Sequence, residues 1–449
     1  MDILALLHGL QPLLTATTLR QLSRIVLALL PMAGRVTMAG IARWGGDGAS
    51  YRTVQRFFAT GLPWPQIFWL CFRQHLHQPD DVYILARDEV VVTKAGKHTF
   101  GLDRFFSGIL QKAVPSGAFF SLALISPRTR RAVPLRLEQV VRTEAEKAAA
   151  KAKAVAKKTK QAAPKRKPGR PKGSKTKPKT EVTLSPELQR IQTMLQAQLQ
   201  LIAGSVPLVY LALDGHFGTS PTLQMVQGWG LHLISKLRAD AALSLPYDGP
   251  YQGRGPRRKY GAKLDVDALP AQYLRQRTEE DGVETCIYQI EVLHKEFAQP
   301  LNVVVIVKTH LRTQARRHVL LFSSDLALPF DTLVEDSRLR FQSELTFRDA
   351  KHYWSLDDFM TVTATAVSNA ANLSLLMVSL SAVLLETMRQ TDPQCSVLDL
   401  KAYYRGAKYV HETIKLLPDP LDESLIVRIY HQVASLGRIH PPESPLKAA

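Results

Sequence analysis

The sequence predicts an α/β protein: a mixed sheet with a β-rich insertion, preceded by an all-α N-terminal domain. Three observations predict it. Apolar residues recur at helical spacing before residue 78. Short hydrophobic runs then alternate with helical patterns up to residue 237, and turn-rich strand patterns fill residues 238–328 before helices return. The 449 residues are 45% hydrophobic, so a sizeable core can form and wholesale disorder is excluded.

In the N-terminal region Leu22, Ile25, Val26 and Leu29 mark one helix face. The stretch Val36 to Trp44 runs into a Gly45-Gly46-Asp47-Gly48 breaker, and Ser50 is a good N-cap for a helix Tyr51–Ala59. Tyr51, Val54 and Phe58 share one face of that helix, while Arg52, Gln55 and Arg56 share another. The pattern resembles a helix-turn-helix, which makes Arg52 and Arg56 candidate DNA contacts; the alternative is an ordinary helical hairpin with solvated arginines.

Strand patterns begin with Asp81 to Ala86, which lead into Arg87-Asp88. Ala118 to Ile125 is an almost continuous apolar run, as expected of a buried strand, and Leu135 to Val141 is a further strand or the start of a linker. Ser185-Pro186-Glu187 opens a helix carried by Leu188, Ile191, Leu195, Leu199 and Ile202. Val206 to Leu213 is a strand ending at Asp214-Gly215-His216, and Gly230 to Leu237 is the next. In the insertion, Glu284 to Leu293, Leu301 to Val307 and His318 to Phe322 read as strands, and helices follow from Asp331. Phe359 to Leu385 has no charge in 27 residues, yet nine are Ser, Thr or Asn, which favours a buried helix over a membrane span.

Net charge is +19, and its location matters more than its sum. Lys147 to Lys179 holds fourteen Lys or Arg and no acid, so the rest of the chain is only mildly basic. Such a segment points to a polyanion, either nucleic acid or an acidic membrane surface. Within it, Pro168-Gly169-Arg170-Pro171 resembles an AT-hook, whose extended Arg enters narrow A·T-rich minor grooves; a solvated basic spacer is the alternative. Three scattered cysteines with no C-x-x-C argue for reduced, inert thiols. The N-terminal apolar residues lack a basic leader and do not read as a signal peptide. His75, His77, Cys71 and His216 have no recognised zinc spacing.

Asp88 and Asp214 each follow a hydrophobic strand, where a sheet presents its strand ends to a cleft. Each alone reads as a turn or cap residue. Arg340, Glu344, Phe347 and Lys351 are spaced to lie within roughly 60° of one helix face. Three carboxylates suffice for two-metal phosphodiester chemistry, because Mg²⁺ keeps waters and takes phosphate oxygens. Further cations placed to touch phosphates are Lys94 and Lys97 after the Asp88 strand, Lys236 and Arg238 after the third strand, and Arg254, Arg257, Arg258 and Lys259 in a Gly/Pro-rich loop. Trp229 is a stacking candidate, with core packing as its alternative.

Arg340-x3-Glu344-x6-Lys351 resembles the signature Y-x2-R-x3-E-x6-K of bacterial DDE transposases of insertion sequence family four. Phe322-Ser323-Ser324-Asp325-Leu326 resembles the phrase that precedes the Glu helix in that family. The resemblance covers about residues 80 to 390 and implies a ribonuclease-H-like catalytic domain interrupted by a β insertion. It implies Asp88, Asp214 and Glu344 as catalytic, metal-binding residues for two Mg²⁺, with Mn²⁺ as a possible substitute. Arg340 and Lys351 would hold phosphates. The signature Tyr falls at Ser337, which puts a hairpin route of cleavage in doubt.

The expected organisation is a helical DNA-binding domain at 1–78, catalytic parts at 79–142 and 183–237, a basic linker at 143–182, the insertion at 238–328, and the Glu helix with C-terminal helices at 329–449. The expected partners are double-stranded DNA, as terminal inverted repeats and target, and a second copy of the chain. No membrane partner is expected, and the expected location is the cytoplasm. The rival expectation is a domesticated DNA-binding protein that keeps the scaffold without catalysis; a plain Mg²⁺-dependent nuclease is a third.

Overall fold

A computed structural model describes residues 3–440 except 47, 95, 109, 150, 153–180, 252, 254, 419 and 420. Before the first strand come helices α1 (Ile3–His8), α2 (Ala16–Leu29), α3 (Met38–Gly45), α4 (Tyr51–Ala59) and α5 (Trp64–Cys71). Their starts follow local chemistry: the side chains of Thr15, Thr37 and Ser50 each accept the amide three residues on, which satisfies a free helix N–H.

The sheet contains β1 (Tyr83–Thr93), β2 (Asp103–Ser107), β3 (Lys112–Ser126), β4 (Arg131–Val140), β5 (Leu208–Ala212), β6 (His232–Leu237), β7 (Leu243–Pro246), β8 (Tyr260–Lys263), β9 (Leu274–Glu280), β10 (Val283–His294), β11 (Leu301–His310) and β12 (Arg316–Ser323). Its central order is β3-β1-β5-β6-β12-β11-β10, with β4 on the far side of β3 and β9 beside β10. Strand β1 runs antiparallel to β3 and parallel to β5, and β5 runs parallel to β6. The long hairpins β10–β11 and β11–β12 continue the same sheet through the antiparallel β12–β6 pair. The insertion read from the sequence is thus built onto the sheet edge at β6.

Helices cover both faces, so the central strands are apolar on both sides. On one face Leu85, Leu122 and Leu124 pack with Leu188 and Leu195 of α6 (Pro186–Ile202) and Leu223 of α7 (Ser220–Gln227). On the other, Ile84, Ala86 and Ala212 meet Leu333 and Leu339 of α8 (Phe330–Leu339), and Val90, Val92 and Phe119 meet α9 (Gln342–Trp354) and α10 (Ala364–Arg389). Helices α11 (Val397–Ile414) and α12 (Glu423–Ser435) follow.

Helix α10 explains the uncharged run. It is long and apolar enough to cross a membrane by composition, but 83% of its most apolar window is buried inside the protein. Its polar residues serve neighbouring backbones. Asn369 donates to the carbonyls of Phe58 (2.9 Å) and Thr60 (2.8 Å), and Ser374 donates to that of Trp354 (2.8 Å). One continuous core therefore joins α1–α5, α9 and α10. The cysteines are free thiols, and burial pushes that of Cys71 up to about 12.

Candidate active site

Asp88 lies within β1, opposite Ser121 of β3, and not beyond the strand's end as its sequence context predicts. The β-branched run Val90-Val91-Val92 carries the ladder on to Thr93, so the carboxylate is fixed by pairing on both of its flanks. Between Ala86 and Val90, it faces the layer of α8–α10 and is half-buried. Asp214 follows β5 and caps the turn Gly215–Phe217, accepting the His216 amide at 2.8 Å. In the parallel β1–β5 pair Ala86 sits level with Ala212, so each acid comes two residues after the same rung. Ser235 of β6 donates to the Asp214 carbonyl at 2.7 Å. A Cβ at position 218 would stand 2.0 Å from the Lys236 carbonyl. Only Gly218 lets this turn lie flat on β6, and that places exposed Lys236 beside Asp214.

Glu344 belongs to the first turn of α9 and is exposed. The single helix expected through Arg340 and Lys351 is in fact two, α8 ending at Leu339 and α9 starting at Gln342. Arg340 and Phe341 between them keep right-handed helical dihedrals, so the i,i+4 relation survives the break. The Arg340 guanidinium spans two acids, with Nη1 3.2 Å from Asp88 Oδ2 and Nη2 2.8 Å from Glu344 Oε1. It thereby joins residues 256 positions apart in the chain. Burial raises the proton affinity of Asp88 above the usual carboxylate range, while Arg340 opposes the shift and Glu344 adds to it. Among the described residues, no three His, Cys, Asp or Glu side chains stand close enough to hold one ion together. That also covers the histidines and Cys71 considered for zinc.

The remaining cations are distributed unevenly. Lys351 is turned onto β1, donating to the Val91 carbonyl at 3.1 Å and pairing with Asp357 at 3.5 Å. Lys94 donates to the carbonyls of Asp357 and Phe359, both at 2.9 Å, over the Phe359 ring. Burial brings its ammonium down to about 8. Lys97 is exposed, and exposed Arg238 pairs with Asp240. Arg52 and Arg56 are exposed on α4. Lys259 donates to the Ala298 carbonyl, and Trp229 packs against the sheet core. Arg170, with its AT-hook-like surroundings, and Arg254 lie outside the described residues.

Sequence reasoning missed Arg87. It is on the opposite face of β1 from Asp88, with a side chain 3% exposed. Its guanidinium stacks 3.6 Å from the Phe120 ring and 4.7 Å from that of Phe217, inside the turn capped by Asp214. Glu89 and Glu187 each stand 3.8 Å away, and Nε and Nη2 have no hydrogen-bond partner. The available signal was a cation inside an apolar run. Glu187 also reaches His216 at 3.4 Å, so Arg87 and the first turn of α6 support the Asp214 turn from behind.

An apolar cavity of about 490 Å³ lies elsewhere, between α4 and the far end of α9, lined by Tyr51, Phe58, Trp354 and Met360 among others. Trp354 is ten residues from Glu344 along the helix, roughly 15 Å.

No match is found among curated proteins. A family model described as DDE superfamily endonuclease matches residues 9–289. The matched part includes Asp88 and Asp214 and stops within β10, ahead of Glu344. Because it spans more than half of the chain, this protein belongs to the DDE superfamily of endonucleases.

Proposed function

We propose that the chain is a DDE DNA transposase of the insertion sequence family four type. In this reading it binds element ends, cuts phosphodiester bonds by hydrolysis, and joins the freed 3′-hydroxyl to target DNA. The observation that supports the reading is the bridge from Asp88 through Arg340 to Glu344, on the strand next to the one that leads to Asp214. The family membership supports cleavage of DNA. The strand order β4-β3-β1-β5-β6, with its first three strands antiparallel and β5 and β6 parallel to β1, supports a ribonuclease-H-like core.

The donor set suits hard divalent ions: carboxylate oxygens on strands and a helix, with a cation already accommodated between two of them. Asp88, Asp214 and Glu344 would hold two Mg²⁺, or Mn²⁺ in substitution. When bound, such ions supply a polarised water or 3′-hydroxyl and neutralise charge on the leaving oxygen. The pairing of β1 keeps Asp88 rigid, and the Gly218 turn fixes Asp214. Glu344, on an exposed helix turn, is the member with freedom to adjust. Lys236 and Arg340 would orient phosphates beside these acids, with Lys94, Lys97, Arg238 and Lys351 along the flanks. Arg52 and Arg56 on α4, with Arg170 and the basic linker, would grip DNA outside the site. Nothing in the site calls for a covalent enzyme–DNA intermediate. Joining two ends requires a homodimer on DNA, working in the cytoplasm.

The second reading is the domesticated, non-catalytic DNA-binding protein. Ser337 in place of the signature Tyr favours it. Purified protein is given labelled DNA bearing candidate terminal repeats and Mg²⁺, beside a Glu344→Gln variant. Nicking by the wild type alone is the expected result. Nicking that persists in the variant removes the active-site assignment, and end binding without any cleavage selects the second reading.

A further inference from the structure

We propose that Arg340 is a resident cation occupying the metal position between Asp88 and Glu344, and that DNA phosphate draws it away so that DNA and divalent metal bind cooperatively. This rests on the site reading above and adds its regulation.

The guanidinium meets the two carboxylates at 3.2 and 2.8 Å. A planar fork presents separate N–H groups to two acids in a fixed geometry, which a compact ammonium on a flexible stem does not hold. Arg340 and Asp88 are only 14% and 13% exposed at their side chains, so their attraction is poorly screened. A divalent ion on the same oxygens would face that guanidinium at close range, and the two cannot share the place. Metal entry therefore requires Arg340 to leave. The same bridge accounts for the absence, among the described residues, of three acids gathered closely enough for an ion: Asp88 and Glu344 are spread around an arginine.

Arg340 is built to leave, and Arg87 is not. Arg340 stands at the junction between α8 and α9, where its partner Glu344 is 44% exposed at the side chain and open to solvent. Arg87, on the other face of β1, is clamped between two rings. A DNA phosphate arriving beside Glu344 offers Arg340 a new bidentate partner. The released carboxylates then take the metal. By linkage, metal must in turn favour DNA by the same factor.

The experiment titrates Mn²⁺ by electron paramagnetic resonance into full-length protein. Wild type, Arg340→Lys, Arg340→Ala and Glu344→Gln are compared, with and without a short duplex at low salt, and circular dichroism confirms each fold. Without DNA, the Lys and Ala variants should bind Mn²⁺ more tightly than wild type, by about five- to a hundred-fold, the usual span of couplings between sites. The Lys variant is decisive, because it keeps the charge and loses only the fork. DNA should tighten Mn²⁺ binding by a larger factor in wild type than in the Lys variant. Equal affinities of wild type and Lys variant without DNA, or equal tightening by DNA, overturn the proposal. In that case a Glu344→Gln variant that still loses Mn²⁺ leaves the site reading standing. A Glu344→Gln variant that binds Mn²⁺ like wild type in both conditions removes the site itself.

Discussion

Asn369 serves four partners at once, and replacing it should cost the fold heavily. It is 1% exposed in the apolar helix α10. Its Nδ2 donates to the carbonyls of Phe57 (3.3 Å), Phe58 (2.9 Å) and Thr60 (2.8 Å), and its Oδ1 accepts the Trp64 indole N–H at 2.8 Å. The carbonyls belong to the end of α4, where a helix leaves acceptors unused. Asn369→Leu keeps the branch at Cγ, adds bulk in its two methyl groups, and removes these bonds together. The buried indole N–H then has no acceptor, which costs about 1–3 kcal/mol, and each lost carbonyl bond adds about 1 kcal/mol. A loss of about 4–6 kcal/mol is expected, read as the shift in urea midpoint by tryptophan fluorescence. Trp64→Phe removes the donor from the other side. In the double variant no indole is left unpaired, so its loss should fall short of the sum of the two single losses. Strict additivity, or a loss below about 1 kcal/mol for Asn369→Leu, refutes the argument that this amide staples α4 to the catalytic layer.

Two further outcomes are expected. Burial, with Glu335 nearby, raises Asp336 to about 6. Its folded-state affinity for a proton exceeds that of the unfolded chain, so its contribution to stability is complete below about pH 4 and lost as pH rises through 6. Asp336→Asn should therefore gain about 2–3 kcal/mol over wild type between pH 4 and 7 in urea midpoints, and a pH-independent difference would contradict this. Deleting Lys147 to Lys179 should weaken DNA binding and flatten its log–log salt dependence, by about 0.9 for each phosphate the segment neutralises; an unchanged slope in a filter-binding series would show that the segment does not touch DNA.

Element types were legible where one period dominated. The spacing of Leu188, Ile191 and Leu195 gave α6, and the apolar run 118–125 gave the centre of β3. The Ser, Thr and Asn content of the uncharged run gave a buried helix, because each polar group in it needed a protein partner. Boundaries were less legible where pairing overrides local signals. Asp88 and Arg87 look like the end of a strand in sequence, yet a ten-residue ladder with β3 carries the strand past them. Strands β2, β7, β8 and β9 are short or polar and owe their existence to neighbours, which no local period reveals.

The same contrast separates the two arginines beside Asp88. Arg340 was legible because helical spacing brings it to Glu344, and that spacing outlasts the break between α8 and α9. Arg87 was not, because its partners come from β3, the Asp214 turn and the start of α6, and only the folded sheet assembles them. A buried guanidinium with two unpartnered nitrogens is costly. It stands behind the strand that carries Asp88 and beneath the turn that carries Asp214, so its positive charge acts on both acids from within the protein. The carboxylates thus have one fixed counter-charge behind them and one displaceable charge in front. On the proposal above, the rear charge belongs to the frame, and only the front charge has to move for a metal to reach Asp88 and Glu344.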